Sequence, residues 1–163
     1  KTSLPSPRTA RGGRAPELDN PDVLEWMGRF LARIHAVGAI APFTHRPLLD
    51  IASFGDQPRQ WLLTHDFIPA DLRETWLSVI DQALLGVRDC FDRAGAVTNI
   101  RLHGDCHVGN VLYTDAGPHF VDFDDCRMGP AIQDLWMLLS GSREEMTQQL
   151  RDVLEGYEEF ADF

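Results

Sequence analysis

Residues 101–133 read RLHGDCHVGNVLYTDAGPHFVDFDDCRMGPAIQ. Asp105 and Asn110 stand five apart in a stretch that also holds Gly104 and Gly109, residues that let the backbone turn tightly. Residues 110–114 (NVLYT) and 119–123 (HFVDF) have the composition of two antiparallel strands, and Asp115-Ala116-Gly117-Pro118 between them is a turn signal. A hairpin of that length returns its two ends to one place. Asn110 and Asp122 are therefore expected a few ångströms apart, both facing the loop of Asp105. Two hard oxygen donors in one cleft suit Mg²⁺, which takes one or two protein ligands and the rest from water and phosphate. A carboxylate beside them can orient an attacking hydroxyl and accept its proton.

Outward from this stretch the pattern becomes helical. Residues 20–37 form the first periodic segment, with Asn20 as N-cap, Pro21 at the first position, and Val23, Met27, Phe30, Leu31 and Ile34 on one face. Residues 39–70 hold four prolines and read as mostly loop, with a short helix near Gln57–Leu63. A second helix is expected from Asp71 to about Arg93, with Leu72, Trp76, Val79, Ile80, Ala83, Leu84, Val87 and Phe91 lining one face. Ile100–Leu102 is a short strand. Gly129-Pro130 breaks the chain before a helix over about 131–139, and Ser142 with Glu145 forms a capping box for a last helix over 143–160. Residues 1–16, with four basic residues, no acid and three prolines, read as a tail, and residues 17–163 as the folded unit.

Composition sets bounds on function. The 163 residues are 44% hydrophobic, enough for one domain that buries roughly two-thirds of its unfolded surface. The net charge of −10 argues against a nucleic-acid or anionic-membrane binder, whose affinity rests on clustered cations. No apolar run reaches the ~18 residues of a membrane span, and three cysteines without a CxxC pair suit a reducing cytoplasm. Lys1 is the only lysine, so chemistry that needs a buried lysine has no candidate in this chain.

His103-Gly104-Asp105 stands where protein kinases carry H-R-D, Asn110 keeps the D-x₄-N interval, and Asp122-Phe123-Asp124 stands in place of D-F-G. The HGDxHxGN form resembles the aminoglycoside-phosphotransferase and choline-kinase branch of the kinase-like fold. RLHGDCHVGNVL, FVDFDD and GPAIQDLWMLL together look most like the bacterial stress response kinase A family, over roughly residues 12–163. The resemblance implies an α+β fold, a protein-kinase-like C-terminal lobe that is mostly helical with a small antiparallel hairpin at the site. It implies an ATP- and Mg²⁺-dependent Ser/Thr protein kinase acting in a stress response. Asp105 would be the catalytic base, Asn110 and Asp122 the Mg²⁺ ligands, His103 a residue packed beneath the loop, and Asp134 a hydrogen-bond acceptor for the loop's backbone amides. The partners would be ATP and a protein with a Ser or Thr acceptor, or in the alternative a small alcohol or amino-alcohol. Asp124 replaces the glycine on which an in/out flip of D-F-G turns. The N-terminal lobe with its phosphate-binding lysine has no counterpart here, so the chain is expected to be a lobe core shortened at both ends, inactive alone and prone to self-association.

Several residues admit structural readings as well. His103, Cys106 and His107 resemble part of a zinc cluster but lack a distal ligand pair, and Cys106 reads as packing rather than nucleophile. Asp124 and Asp125 suit caps or a second metal contact, with Arg127 as their ion-pair partner. Leu135, Trp136, Leu138 and Leu139 are expected in the core, and His35 as a satisfied core or cap histidine. Glu144, Glu145, Glu155, Glu158 and Glu159 are expected on a solvated face.

Overall fold

The computed structural model describes residues 12–163. Helix α1 (Pro21–Gly38) begins where expected, with the Asn20 side chain accepting from the Asp22 amide at 3.1 Å. A π-turn (Ala52–Asp56) leads into α2 (Gln57–Thr64), and α3 spans Arg73–Ala94. Four short strands follow, β1 (Asn99–Leu102), β2 (Val111–Thr114), β3 (Gly117–Phe120) and β4 (Arg127–Pro130), then α4 (Ile132–Trp136) and α5 (Arg143–Tyr157). The mixed, mostly helical α+β architecture agrees with the resemblance.

The core lies between α1 and α5. Val23, Leu24, Met27, Leu31 and Ala32 of α1 meet Val153 and Tyr157 of α5, and Cys106, Val111, Leu135 and Leu138 close the cluster. The two helix backbones touch because neither carries a side chain at the crossing. A Cβ on Gly28 would strike the Val153 carbonyl, and one on Gly156 the Glu25 carbonyl. The capping box at the start of α5 is complete: Ser142 Oγ accepts from the Glu145 amide and Glu145 Oε2 from the Ser142 amide. Glu145 is thus a cap. Glu159 is exposed, as expected of a solvated face, and it also accepts two hydrogen bonds from Arg29, both at 2.7 Å, tying the end of α5 to α1.

The strands form two ribbons. β2 and β3 pair antiparallel with Thr114 opposite Gly117, so the turn is only Asp115-Ala116, and Gly117 and Pro118 belong to the returning strand. Pro118 lacks an N–H, which an edge strand tolerates. Opposite it, Tyr113 spends its N–H and C=O on Arg14 instead, at 2.8 and 3.0 Å. Pairing thus reaches into the stretch assigned to the tail, where Pro16 is also buried; residues 1–11 lie outside the described part. β3 ends at Phe120, so Asp122 is not in a strand as expected. β1 pairs with β4, which the Gly129-Pro130 signal had masked as a mere break. Arg101 of β1 caps the other end of α1, donating to the Val37 carbonyl at 2.8 Å and the Gly38 carbonyl at 3.3 Å.

Two helices differ from expectation. α4 stops at Trp136, and the chain reaches Leu139 through tighter three-residue turns. Leu135 and Leu138 are buried, but Trp136 is 54% exposed and not core. On α3 only Leu84 of the expected apolar face is buried. No helix among the described residues is long and apolar enough to cross a membrane.

Candidate active site

The loop between β1 and β2 is fixed from below before any chemistry is considered. Asp134, fully buried on α4, accepts from the His103 amide at 2.8 Å and the Gly104 amide at 2.9 Å. This is the contact that the resemblance implied. His103 is itself buried. Its Nε2 bonds the Val121 carbonyl at 2.8 Å, and its Nδ1 accepts from the Asp105 amide at 3.3 Å. Gly104 sits at φ +87°, where a Cβ would also press against the Asp125 carbonyl, so glycine is required there.

This frame presents Asp105 at the surface of the loop. The side-chain amide of Asn110 donates to the Asp105 carbonyl at 2.8 Å and to its Oδ2 at 3.2 Å. His107 adds a second neighbour. Its Nδ1 accepts from the Gly109 amide at 2.9 Å, which leaves the ring proton on Nε2, 3.6 Å from the same Oδ2. Both neighbours lean on Oδ2, and among the described residues Oδ1 takes no hydrogen bond. A carboxylate with one oxygen held and the other open is oriented to accept a proton from a hydroxyl.

Asp122 arrives at the same end of the hairpin. The Val121 amide donates to the Asn110 carbonyl at 3.0 Å, extending the β2–β3 ladder by one pair, and Asp122 follows directly. Its backbone is left-handed (φ +62°), uncommon for a residue with a side chain. The turn after it, Phe123–Asp125, is gripped by two guanidiniums. Arg46 donates to the Asp124 and Cys126 carbonyls, while Arg127 donates to the Asp125 carbonyl and carboxylate, each at 2.8 Å. Asp125 is thus the ion-pair partner expected for Arg127. Asp105 and Asn110 are in direct contact, whereas the Asp122 side chain makes no described hydrogen bond to either.

The donor set suits a hard, octahedral cation. Asn110 has committed its Nδ2 to Asp105, which leaves Oδ1 as a free acceptor, and the exposed Asp122 carboxylate is unpaired among the described residues. No group of three His, Cys, Asp or Glu side chains able to hold a metal occurs among the described residues. The zinc alternative also lacks free donors: His103 uses both ring nitrogens, and burial together with Asp134 and Asp105 pushes the Cys106 thiol far up.

The sequence did not reveal three contributors. His107 was legible only as a motif letter, although a histidine two residues beyond an aspartate on a tight loop can fold back on it. Arg46 acts across 78 residues of chain. His35, expected to be satisfied in the core, bonds Asp134 Oδ2 at 3.0 Å and the Tyr157 hydroxyl at 2.9 Å.

The chain is similar to curated relatives in sequence and to solved structures in fold. Stress response kinase A of Salmonella choleraesuis (strain SC-B67) is 47% identical over 152 residues, 93% of this chain and 45% of that protein. Serine/threonine protein kinase RdoA of Salmonella typhimurium (strain LT2) matches to the same extent. The chain therefore spans less than half the length of these relatives. Among solved structures, amicoumacin kinase hAmiN in complex with AMP-PNP, Ca²⁺ and Ami superposes with a TM-score of 0.67 at 20% identity, over 95% of this chain and 48% of that one. This likeness shows the fold. The model of the phosphotransferase enzyme family matches residues 6–163, nearly the whole sequence, and on that ground this chain belongs to the phosphotransferase enzyme family.

Proposed function

We propose that the full-length protein is an ATP- and Mg²⁺-dependent protein kinase that phosphorylates Ser or Thr hydroxyls, in the cytoplasm and as part of a stress response. The observation that carries this reading is the half-held carboxylate of Asp105, steadied at Oδ2 by Asn110 and His107 and open at Oδ1. Asp105 takes the proton of the acceptor hydroxyl as that oxygen forms its bond to the γ-phosphorus and the bond to the ADP oxygen breaks. Asn110 Oδ1 and the Asp122 carboxylate would hold Mg²⁺. Once bound, the ion supplies neutralising charge on the phosphates. Arg46 and Arg127 keep the turn behind Asp122 in place. The protein-kinase acceptor class is supported by the 47% identity to a relative named as a Ser/Thr kinase, and the free cysteines suit a reducing compartment.

The test is phosphoryl transfer by the full-length protein carrying Asp105→Asn. A loss of kcat of about 10²–10⁴ is expected with ATP binding retained; a near-normal rate would remove Asp105 from the role. Labelled ATP offered with cell proteins and, separately, with small alcohols and amino-alcohols reads the acceptor class, and turnover confined to the alcohols would replace the protein substrate. The 163-residue chain alone should turn over ATP negligibly, since its only lysine is Lys1.

A further inference from the structure

Behind the site lies a row of buried polar groups for which the proposed phosphoryl transfer has no direct use. His35 of α1, Asp134 of α4 and Tyr157 of α5 are 1%, 0% and 3% exposed. They come from three helices and span 122 residues of sequence. Asp134 Oδ2 accepts from the His103 amide and lies 3.0 Å from His35 Nε2, while Oδ1 accepts from the Gly104 amide. His35 Nδ1 lies 2.9 Å from the Tyr157 hydroxyl.

Donor counting fixes the protons. The Asp134 carboxylate can only accept, so His35 Nε2 must carry the proton that faces it. His35 Nδ1 is then a lone pair, and the Tyr157 O–H donates to it. Burial, with the charge of Asp134, pushes the Tyr157 hydroxyl up to about 12, so it remains a donor throughout the working pH range. Without that hydroxyl the Nδ1 lone pair is orphaned in a buried site, and the imidazole loses one of the two hydrogen bonds that fix its plane. The ring can then turn away from Asp134 Oδ2 and weaken its hold on the carboxylate that carries the loop.

We propose that Tyr157 is a positioning residue for the Asp105 loop: its hydroxyl anchors His35 Nδ1 and so holds the imidazole in the orientation that donates to Asp134, and Asp134 in turn holds the amides of residues 103 and 104. The effect on turnover rests on the function proposed above; the effect on the loop does not. The relay gives α5 a direct hold on the residue preceding Asp105, through hydrogen bonds alone. Its outer members, His35 and Tyr157, both line a solvent-facing cavity of about 550 Å³ together with Ile100, Ile132 and Phe163.

Tyr157→Phe in the full-length protein isolates the hydroxyl, because the edge-on packing of the ring against His35 (centroids 5.6 Å apart) remains. Amide hydrogen exchange at His103 and Gly104 should accelerate about tenfold while exchange in the β2–β3 ribbon is unchanged. kcat should fall about tenfold with KM for ATP held within about twofold. Tyr113→Phe, on the ribbon, should alter neither. His35→Gln restores an amide donor toward Asp134 and an acceptor toward Tyr157, and should lie between wild type and Tyr157→Phe. Unchanged exchange at residues 103 and 104 in Tyr157→Phe overturns the relay, as does acceleration spread evenly over the whole lobe. Faster local exchange together with an unaffected Asp105→Asn enzyme would leave the relay standing and remove Asp105 from its proposed role instead.

Discussion

Helices α1 and α3 announce themselves in sequence by the same means, apolar residues at helical spacing, yet the molecule treats them differently. α1 buries Val23, Leu24, Met27, Leu31 and Ala32, and its crossing with α5 is tight enough to need glycine on both sides. α3 is longer, but Val79, Leu85 and Val87 stay 63%, 59% and 42% exposed. Beyond the packing of Leu84 on Gly55, its ties to α2 and the π-turn are largely polar, with the ion pairs Arg59 with Asp81 and Arg88 with Asp56 contributing little at an exposed surface. Periodicity shows that a helix has an apolar face; it does not show that the same chain covers it. The site hangs from the covered helix: α1 supplies His35, α4 Asp134 and α5 Tyr157, while α3 supplies none of the residues that hold the catalytic loop.

The sharpest way to break this contrast is at the buried end. Asp134→Ala orphans the His103 and Gly104 amides and the His35 Nε2–H in a dry interior, and should cost about 3–5 kcal/mol in urea unfolding. Leu31→Ala on α1 should cost about 3 kcal/mol, whereas Val79→Ala on α3 should change stability by less than about 0.5 kcal/mol. Equal losses at the two positions would mean that α3 is covered in solution. Gly156→Ala should cost about 1–3 kcal/mol by forcing α5 away from the Glu25 carbonyl. Replacing Val79 and Leu85 with glutamate should leave unfolding nearly unchanged and reduce self-association of the 163-residue chain in sedimentation.

The features legible in the sequence are those written over a few neighbouring residues. The Asn20 cap, the Ser142–Glu145 capping box and the hairpin are such features, and the spacing from Asp105 to Asn110 is enough to bring those two into contact. The hairpin register differs from the sequence expectation because Gly117-Pro118 reads as turn in any local window. Only the partner strand shows that Gly117 pairs with Thr114 and that Pro118 needs no donor. The Arg46 grip, the Arg14–Tyr113 pairing, β4 on β1 and the His35–Asp134–Tyr157 row all join residues far apart in the chain, and no local pattern encodes them. Trp136 departs from expectation for a related reason: its three leucine neighbours suggest core, but α4 is too short to bury every face.

The smallest expected effect separates the two helices by pH. Glu145 at the start of α5 and Glu159 just past its end both titrate below their ordinary value of 4.5, Glu145 through its hydrogen bonds with Ser142 and Glu159 through its hydrogen bonds with Arg29. A carboxylate depressed in the folded state contributes stability that is fully present above its unfolded value. That stability is lost as pH falls through the folded value, because the unfolded chain binds the proton first. The unfolding midpoint should therefore hold steady above about pH 5 and decline below it. Glu145→Gln removes the titration but keeps an oxygen for the Ser142 amide, so it should flatten the acid decline with little change at neutral pH. Glu159→Gln should flatten the decline and also lower the neutral plateau, because the charge facing Arg29 is gone. Added salt should mimic Glu159→Gln and spare the capping box, since screening weakens an exposed ion pair more than a local hydrogen bond. An acid decline unaltered by either substitution would move the pH sensitivity off the α1–α5 side altogether.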